Sequence, residues 1–202
     1  MPLFPMAFVR SDLLIKNSYV SFLDVFRGML RIEKEQKPYI PDAIPAEDLI
    51  ERLKTNSIIV QGKTVMLNPY AQSCTGIPME LYEKIATRLL DSGFTVITSV
   101  CGDQVAVNGT VGVNFSIKEE LALLNYCGYI IGNRSGFMDL AAFSDAHVIS
   151  IDTDSYPFSD FFTLEDMWEH NHKIKTFRWV NGYEEELIEK VINHICCTLC
   201  RH

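Results

Sequence analysis

Residues 129–143, Tyr-Ile-Ile-Gly-Asn-Arg-Ser-Gly-Phe-Met-Asp-Leu-Ala-Ala-Phe, decide the fold prediction. The apolar run Tyr129–Ile131 predicts a buried strand, and the apolar stretch Phe137–Phe143 predicts a helix. The small polar residues between them then form a turn from a strand into a helix. The first N–H groups of such a helix have no acceptor within the helix, and the helix dipole favours an anion beside them. Because the turn also contains Arg134, the stretch predicts a phosphate-binding site.

Strands and helices alternate along much of the remaining sequence. We predict strands at Thr64–Leu67, Phe94–Val100, Tyr129–Ile131 and His147–Ile151. One predicted helix runs from about Pro78 to Asp91, and the next begins at the capping-box pattern of Ser116 and Glu119. Strands that alternate with helices of these lengths are joined by right-handed crossovers into a parallel sheet. The fold class is therefore predicted as α/β, a Rossmann-like doubly wound parallel sheet flanked by helices.

The regions outside this alternation give the predicted domain organisation. Residues 1–45 are predicted to form an N-terminal helical arm, with an amphipathic helix within residues 11–32 and a linker at residues 37–45 whose three prolines exclude a helix. Residues 46–202 are predicted to form the Rossmann-like domain, which begins with a short charged helix and ends with a C-terminal helix at Tyr183–Ile195.

The composition limits the partners and the location that we expect. The formal net charge is -8 at pH 7, and nucleic-acid backbones are bound by a surplus of lysine and arginine, so no nucleic-acid partner is expected. The six cysteines lack the spacing of a disulfide framework, which favours a reducing, cytoplasmic location. The apolar residues 1–9 contain two prolines and are too few for a signal peptide or a transmembrane segment. A peripheral position at the inner face of a membrane is the alternative location.

Two motifs resemble those of a known family. Asn68-Pro69-Tyr70-Ala71 follows the first predicted strand, and Ser135-Gly136-Phe137-Met138-Asp139-Leu140-Ala141-Ala142 follows the third. GT-B glycosyltransferases of the heptosyltransferase type, and related bacterial capsule and lipopolysaccharide-core sugar transferases, have Asn-Pro-Gly-Ala and Ser-Gly-x-Met-His-Leu-Ala-Ala at these places. The order and spacing agree over residues 64–152. This stretch therefore resembles the C-terminal half of those enzymes, which binds the nucleotide sugar.

Two residues depart from the pattern of that family. Tyr70 replaces a glycine, and its side chain narrows the approach of a ligand to the backbone of the first loop. Asp139 replaces the histidine of the second motif, and its carboxylate would repel a nearby phosphate unless it faced sugar hydroxyls or a cation. The identities of the nucleotide and the sugar are therefore not carried over from the family.

The resemblance implies a donor-binding site that includes the second motif. The N–H groups of Ser135 and Gly136, with the Ser135 hydroxyl, would hold the diphosphate of a nucleotide sugar. Arg134 would add a charge-assisted hydrogen bond, and Asp139 would bind the transferred sugar. Simpler roles exist for the two charged side chains: Arg134 could pair with a carboxylate such as Asp152 or Asp154, and Asp139 could complement the helix dipole.

The loop after the first strand would form the opposite wall of this site. Ser73 and Thr75 would offer hydroxyl groups to the donor, and Asn68 would fix the turn. Hydroxyl side chains in loops also commonly satisfy their own backbone, which is the structural alternative for Ser73 and Thr75.

The function implied by the resemblance is glycosyl transfer from a nucleoside diphosphate sugar to a glycan or a lipid-linked, lipopolysaccharide-type acceptor, without a cofactor or a bound metal. Only residues 1–63 precede the first predicted strand. We therefore expect a donor half that is inactive alone, with the acceptor half missing, truncated or supplied by a partner chain. No catalytic base is singled out among Asp103, Asp139 and Asp154. The alternatives are a GT-B-like nucleotide-sugar epimerase and a noncatalytic α/β interaction module.

The C-terminal tail contains residue types that bind zinc. Residues 194–202 include two histidines and three cysteines, but they lack two ligand pairs separated by a loop. We therefore predict a terminal helix followed by buried or frayed thiols, and no metal site.

Overall fold

The computed structural model describes residues 22–33, 36, 47–71, 77–153, 163–168 and 171–199. Its helices within these ranges are α1 (Phe22–Leu30), α2 (Glu47–Thr55), α3 (Met79–Asp91), α4 (Ile117–Cys127), α5 (Gly136–Ala141), α6 (Leu164–Met167) and α7 (Glu184–Leu199). The strands are β1 (Thr64–Asn68), β2 (Thr95–Ser99), β3 (Val111–Val113), β4 (Gly128–Asn133), β5 (His147–Thr153) and β6 (Ile174–Trp179).

The six strands form one parallel sheet in the order β3-β2-β1-β4-β5-β6. This is the strand order of Rossmann folds, in which the direction of winding reverses between the first and fourth strands. The loops that follow β1 and β4 therefore leave the sheet on opposite sides and open a crevice between them. The predicted α/β fold with a doubly wound sheet is confirmed.

Helices cover both faces of the sheet because the strands are apolar on both sides. On one face α3 and α7 pack against side chains such as Val65, Leu67 and Ile131. On the other face α4, α5 and α6 pack against Met66 and Ile130. Continuous apolar runs are typical of parallel strands buried on two faces, and each fully buried side chain of this size stabilises the fold by about 1.5–3 kcal/mol.

Local signals in the sequence set the ends of several helices. At the start of α4 the Ser116 hydroxyl accepts a hydrogen bond from the Glu119 N–H, and the Glu119 carboxylate accepts one from the Ser116 N–H at 2.9 Å. Gly128 ends α4 in the left-handed conformation, with φ +97°, where a side chain would also approach the backbone of Gly62. The predicted capping box is confirmed. Pro78 precedes α3 as its N-cap residue.

Three elements of the fold were not predicted: β3, β6 and the short helix α6. β3 and β6 lie at the two edges of the sheet. Edge strands are less buried than central strands, and β3 has only three residues, so neither has the long apolar run that identifies β1 or β4. In β6 the polar residues Lys175, Thr176 and Arg178 interrupt the apolar ones.

The two ends of the chain agree only partly with the prediction. α1 occupies the last part of the predicted helix within residues 11–32, and the predicted proline linker at residues 37–45 lies outside the described residues. The C-terminal helix α7 extends to Leu199, beyond the predicted end at Ile195, and so includes Cys196 and Cys197. Among the helices of the described ranges, none is long and apolar enough to cross a membrane.

Candidate functional site

A row of small and polar residues crosses one face of the sheet near the carboxyl ends of its strands. Asn68 of β1 pairs with Gly132 of β4, Gly132 with Ser150 of β5, and Ser150 with Thr176 of β6. Two residues earlier on the same face, the corresponding row is wholly apolar and consists of Met66, Ile130, Val148 and Ile174. The face therefore changes from apolar to polar at the edge where ligands bind in doubly wound folds.

Gly132 allows three elements to converge at the centre of this row. A Cβ atom on Gly132 would lie 2.7 Å from the carbonyl oxygen of Asn68 and 2.9 Å from the sulfur atom of Met138 in α5. Both distances are shorter than van der Waals contact, so only glycine fits here without displacing its neighbours. The end of β1, the end of β4 and α5 are thereby held close together.

The end of β1 and the turn after β4 meet through side chains. The Nδ2 atom of Asn68 donates a hydrogen bond to the Ser135 hydroxyl at 3.4 Å. Ser135 is also the N-cap of α5, and its hydroxyl accepts a hydrogen bond from the N–H of Met138. Gly136 is exposed, and nothing lies within 4 Å of the position of a Cβ atom on it. The start of α5 is therefore accessible to a ligand.

Arg134 forms an ion pair with Asp139 of the same motif. The two side chains are 17% and 36% exposed, and a second guanidinium nitrogen of Arg134 lies 2.6 Å from the sulfur atom of Met167 in α6. Burial raises the pKa of Asp139, and the attraction of Arg134 lowers it by less. Of the partners considered for Arg134, Asp154 lies outside the described residues, and the ion pair is made with Asp139.

Two buried carboxyl groups that were not predicted as site residues bind serine hydroxyls of β2 and β5, the strands next to β1 and β4. Asp152 at the end of β5 accepts a hydrogen bond from the Ser150 hydroxyl at 2.6 Å, and Glu120 of α4 accepts one from the Ser99 hydroxyl at the same distance. Both are 6% exposed, and burial raises the pKa of each. The hydrogen bond from Ser150 and the positive charge of Arg134 lower the pKa of Asp152, but by less than burial raises it.

A buried amide anchors the second motif to the first loop. Asn133, the last residue of β4, donates a hydrogen bond from Nδ2 to the carbonyl oxygen of Pro69 at 2.5 Å. Its Oδ1 atom accepts a hydrogen bond from the hydroxyl of Tyr82 in α3. Neither Asn133 nor Tyr82 was predicted as a site residue. An asparagine that ends an apolar strand was the available signal, since a buried amide requires partners.

Tyr70, which replaces the family's glycine, connects two loops. Its hydroxyl donates a hydrogen bond to the carbonyl oxygen of Val105 at 2.6 Å and accepts one from the N–H of Val105 at 3.2 Å. Val105 belongs to the loop between β2 and β3. Tyr70 therefore fixes the loop after β1 to the loop after the neighbouring strand.

Of the remaining predicted residues, Ser73, Thr75, Asp103 and Asp154, the structure describes Asp103. Ser73 and Thr75 lie outside the described residues. Asp103 is exposed in the loop after β2, and Asp154 lies outside the described ranges. Within the part of the chain that the structure describes, no group of three or more histidine, cysteine, aspartate or glutamate side chains is arranged to hold a metal ion.

Solved structures with a similar fold include several sugar transferases. ADP-heptose lipopolysaccharide heptosyltransferase II of E. coli matches with a TM-score of 0.59 and 16% identity, over 83% of this chain and 57% of that one. A glycosyl transferase family 9 protein of Veillonella parvula matches with a TM-score of 0.57 and 13% identity, over 83% of this chain and 50% of that one. The dodecameric iron-containing heptosyltransferase TibC, solved in complex with ADP-D-β-D-heptose, matches with a TM-score of 0.52 and 17% identity, over 94% of this chain and 56% of that one.

The present chain thus spans about half the length of each of these structures. No protein-family model and no curated protein matches its sequence. At these levels of identity the structural likeness is one of fold. This likeness of fold confirms the resemblance drawn from the two motifs: the α/β unit of this chain has the fold of a heptosyltransferase-like half of a GT-B glycosyltransferase.

Proposed function

We propose that this chain contains the donor-binding half of a GT-B glycosyltransferase, and that the crevice between the loops after β1 and β4 binds the diphosphate of a nucleoside diphosphate sugar. The observation that carries the proposal is the contact between Asn68 and Ser135 at this crevice, with Arg134 beside it. Ligands of doubly wound folds bind at the point where the strand order reverses. The fold shared with heptosyltransferases supports the same reading of the site.

Binding of a diphosphate would exchange the partner of Arg134. Its guanidinium is paired with the Asp139 carboxylate, which is partly exposed and therefore can be displaced. A phosphate offers Arg134 a bidentate, charge-assisted contact, and the first N–H groups of α5 lie next to it. The displaced Asp139 would then accept hydrogen bonds from hydroxyl groups of the sugar.

The same groups would act during sugar transfer. Negative charge develops on the departing diphosphate as the bond to the sugar breaks. Arg134 and the N–H groups at the start of α5 would stabilise that charge without a bound metal. The acceptor would be a glycan or a lipid-linked glycan, and a second domain or a partner chain would supply its binding site and the catalytic base.

A noncatalytic α/β interaction module is the competing function. The ion pair between Arg134 and Asp139 favours it, because both charges are satisfied without a ligand. In that case Ser135 is only the N-cap of α5, and Asn68 only completes the hydrogen bonding of the cap.

A thermal-shift experiment with UDP, GDP, ADP and CMP tests the proposal. A ligand at 100 times its Kd stabilises the folded chain by about 2.7 kcal/mol, which corresponds to about 5–10 °C in Tm for a chain of this size. We expect one nucleoside diphosphate to give such a shift and Arg134→Ala to abolish it. Arg88→Ala is the matched control, since Arg88 is ion-paired with Glu189 on the surface formed by α3 and α7.

The outcomes separate the candidate functions. A shift that Arg134→Ala removes and Arg88→Ala retains supports the donor site. Indifference to every nucleotide favours the interaction module, and an equal response of the wild type and Arg134→Ala places the ligand elsewhere. Turnover of a bound nucleotide sugar without any acceptor would instead identify an epimerase.

A further inference from the structure

Asn133 joins two segments of the site at a position buried from solvent. It is 4% exposed, and its amide lies between the carbonyl oxygen of Pro69, in the loop after β1, and the hydroxyl of Tyr82 in α3. Tyr82 is 1% exposed and belongs to the core formed by α3, α7 and the sheet. A buried polar network of this kind is retained only when all its members are satisfied.

The direction of each hydrogen bond in this network is fixed by its chemistry. The carbonyl oxygen of Pro69 can only accept, so the amide nitrogen of Asn133 must face it. The amide oxygen then faces Tyr82, and the hydroxyl of Tyr82 must donate to it. Each of the three groups therefore has one orientation. Tyr82→Phe or Asn133→Asp would remove one of these hydrogen bonds, although both new side chains fit the space.

The network acts together with two other contacts between the end of β1 and the turn after β4. Gly132 allows the Asn68 carbonyl to approach, Asn133 binds the Pro69 carbonyl, and the Ser135 hydroxyl accepts from the Asn68 amide. Three of the four residues from 132 to 135 thus contact Asn68, the last residue of β1, or Pro69, the first residue after it. The fourth residue is Arg134.

We propose that Asn133, held by Tyr82, is a positioning residue that sets where Arg134 and Ser135 stand relative to the loop after β1, and thereby determines the affinity of the crevice for a nucleoside diphosphate. The inference rests on the proposed function. Asn133 touches no ligand, because its side chain points to the α3 face of the sheet, opposite to α5. Burial raises the pKa of Tyr82, so its hydroxyl keeps its proton at all physiological pH values.

Tyr82→Phe tests the inference, and Tyr129→Phe is its matched control. Tyr129 is also a buried tyrosine on the α3 and α7 face of the sheet, but it lies near the amino end of β4, and its hydroxyl accepts a hydrogen bond from Thr198. Both variants lose only a hydroxyl group. Affinity for the nucleoside diphosphate that stabilises the wild type is measured by calorimetry at a temperature at which all three proteins are folded, so a loss of stability alone leaves Kd unchanged.

We expect Tyr82→Phe to raise Kd by about tenfold, because one group that contacts a charged ligand is then misplaced. Tyr129→Phe should leave Kd within about twofold of the wild-type value. Asn133→Asp, which sets a carboxylate against the Pro69 carbonyl, should raise Kd at least as much. An unchanged Kd in Tyr82→Phe overturns the inference and leaves the proposed function standing.

A wild type that binds no nucleotide refutes the proposed function, and the positioning role is then judged without a ligand. Backbone amide chemical shifts of Arg134, Ser135 and Gly136 should change in Tyr82→Phe and stay unchanged in Tyr129→Phe. Unmoved amides in Tyr82→Phe would overturn the positioning role itself.

Discussion

The carbonyl oxygen of Asn68 lies 2.7 Å from the position that a Cβ atom on Gly132 would occupy. The sulfur atom of Met138 lies 2.9 Å from that position, so a methyl group would have to displace the backbone of β1 as well as the side chain of Met138. We predict that Gly132→Ala lowers the free energy of unfolding by about 1–3 kcal/mol, the usual cost of overpacking a core. Urea denaturation of both proteins measures the difference.

Gly136→Ala is the control for that prediction. Nothing lies within 4 Å of a Cβ atom at this position, and Gly136 is the first residue of α5. Alanine is favoured over glycine in helices by about 0.5–1 kcal/mol, so the same chemical change should here be neutral or stabilising. Equal destabilisation by both substitutions would show that the close approach at Gly132 is not the cause.

Removal of the Asp139 charge should strengthen the binding of phosphate groups. In the wild type a diphosphate must displace the carboxylate that is paired with Arg134. Asp139→Asn keeps the shape of the side chain and removes that competitor, so we expect the affinity for inorganic pyrophosphate to rise by about three- to tenfold. Isothermal calorimetry measures the change.

Asp145→Asn serves as the comparison for Asp139→Asn. Asp145 is also ion-paired, with Lys173, but it lies before β5, at the amino edge of the sheet. Asp145→Asn changes the net charge by the same amount as Asp139→Asn, but it does not touch the crevice. We therefore expect no effect on pyrophosphate binding. Weaker binding by Asp139→Asn would show that Arg134 requires the carboxylate for its position.

The buried carboxyl group of Glu120 should make stability fall as the pH rises. Burial raises its pKa above 4.5, and the hydrogen bond from Ser99 offsets only part of that rise. Between the unfolded and the folded pKa the native state holds more protons than the unfolded state, so the free energy of unfolding decreases with rising pH. Glu120→Gln removes the ionisation, and we expect it to flatten the pH dependence above 4.5 and to stabilise the protein at pH 7.

Glu119 should influence stability in the opposite direction from Glu120 and in a lower pH range, because its contribution to stability rises with pH. Glu119→Gln removes that contribution. The hydrogen bonds from the Ser116 hydroxyl and N–H lower the pKa of Glu119 below 4.5. Its contribution to stability is therefore present above 4.5 and is lost as the pH falls through the folded pKa. Urea denaturation from pH 3 to 8 separates the two residues, and a Glu120→Gln curve parallel to that of the wild type above 4.5 would contradict the assignment.

The central strands could be predicted from the sequence because they are buried on both faces. Val65, Met66 and Leu67 form an uninterrupted apolar run, and the capping box at Ser116 gives the start of α4 without reference to any other part of the chain. β6 could not be predicted in this way. Its Thr176 pairs with Ser150 of β5, and its side chain and backbone bind Glu165 of α6, and no local pattern contains either contact.

Only the part of the candidate site that a local sequence pattern indicates was predicted. The turn after β4 identifies Arg134 and Ser135, because a small-residue turn between a strand and a helix is visible in the sequence. The partner of Arg134 was not predicted, since Asp139 was assigned to the sugar and not to an ion pair. Tyr82 lies 51 residues from Asn133, and only the folded sheet brings the two together.

The hydroxyl of Tyr70 is hydrogen-bonded to both the carbonyl oxygen and the N–H of Val105. Tyr70→Phe removes both hydrogen bonds but keeps the ring. A hydrogen bond in a partly exposed position contributes about 0.5–1.5 kcal/mol, so we expect the amide of Val105 to exchange about three- to tenfold faster while global stability changes little. The amide of Cys101, which is bonded to the Gln104 side chain, is the internal reference and should not change. If the exchange of Val105 is unaltered, the hydroxyl of Tyr70 does not hold the loop after β2.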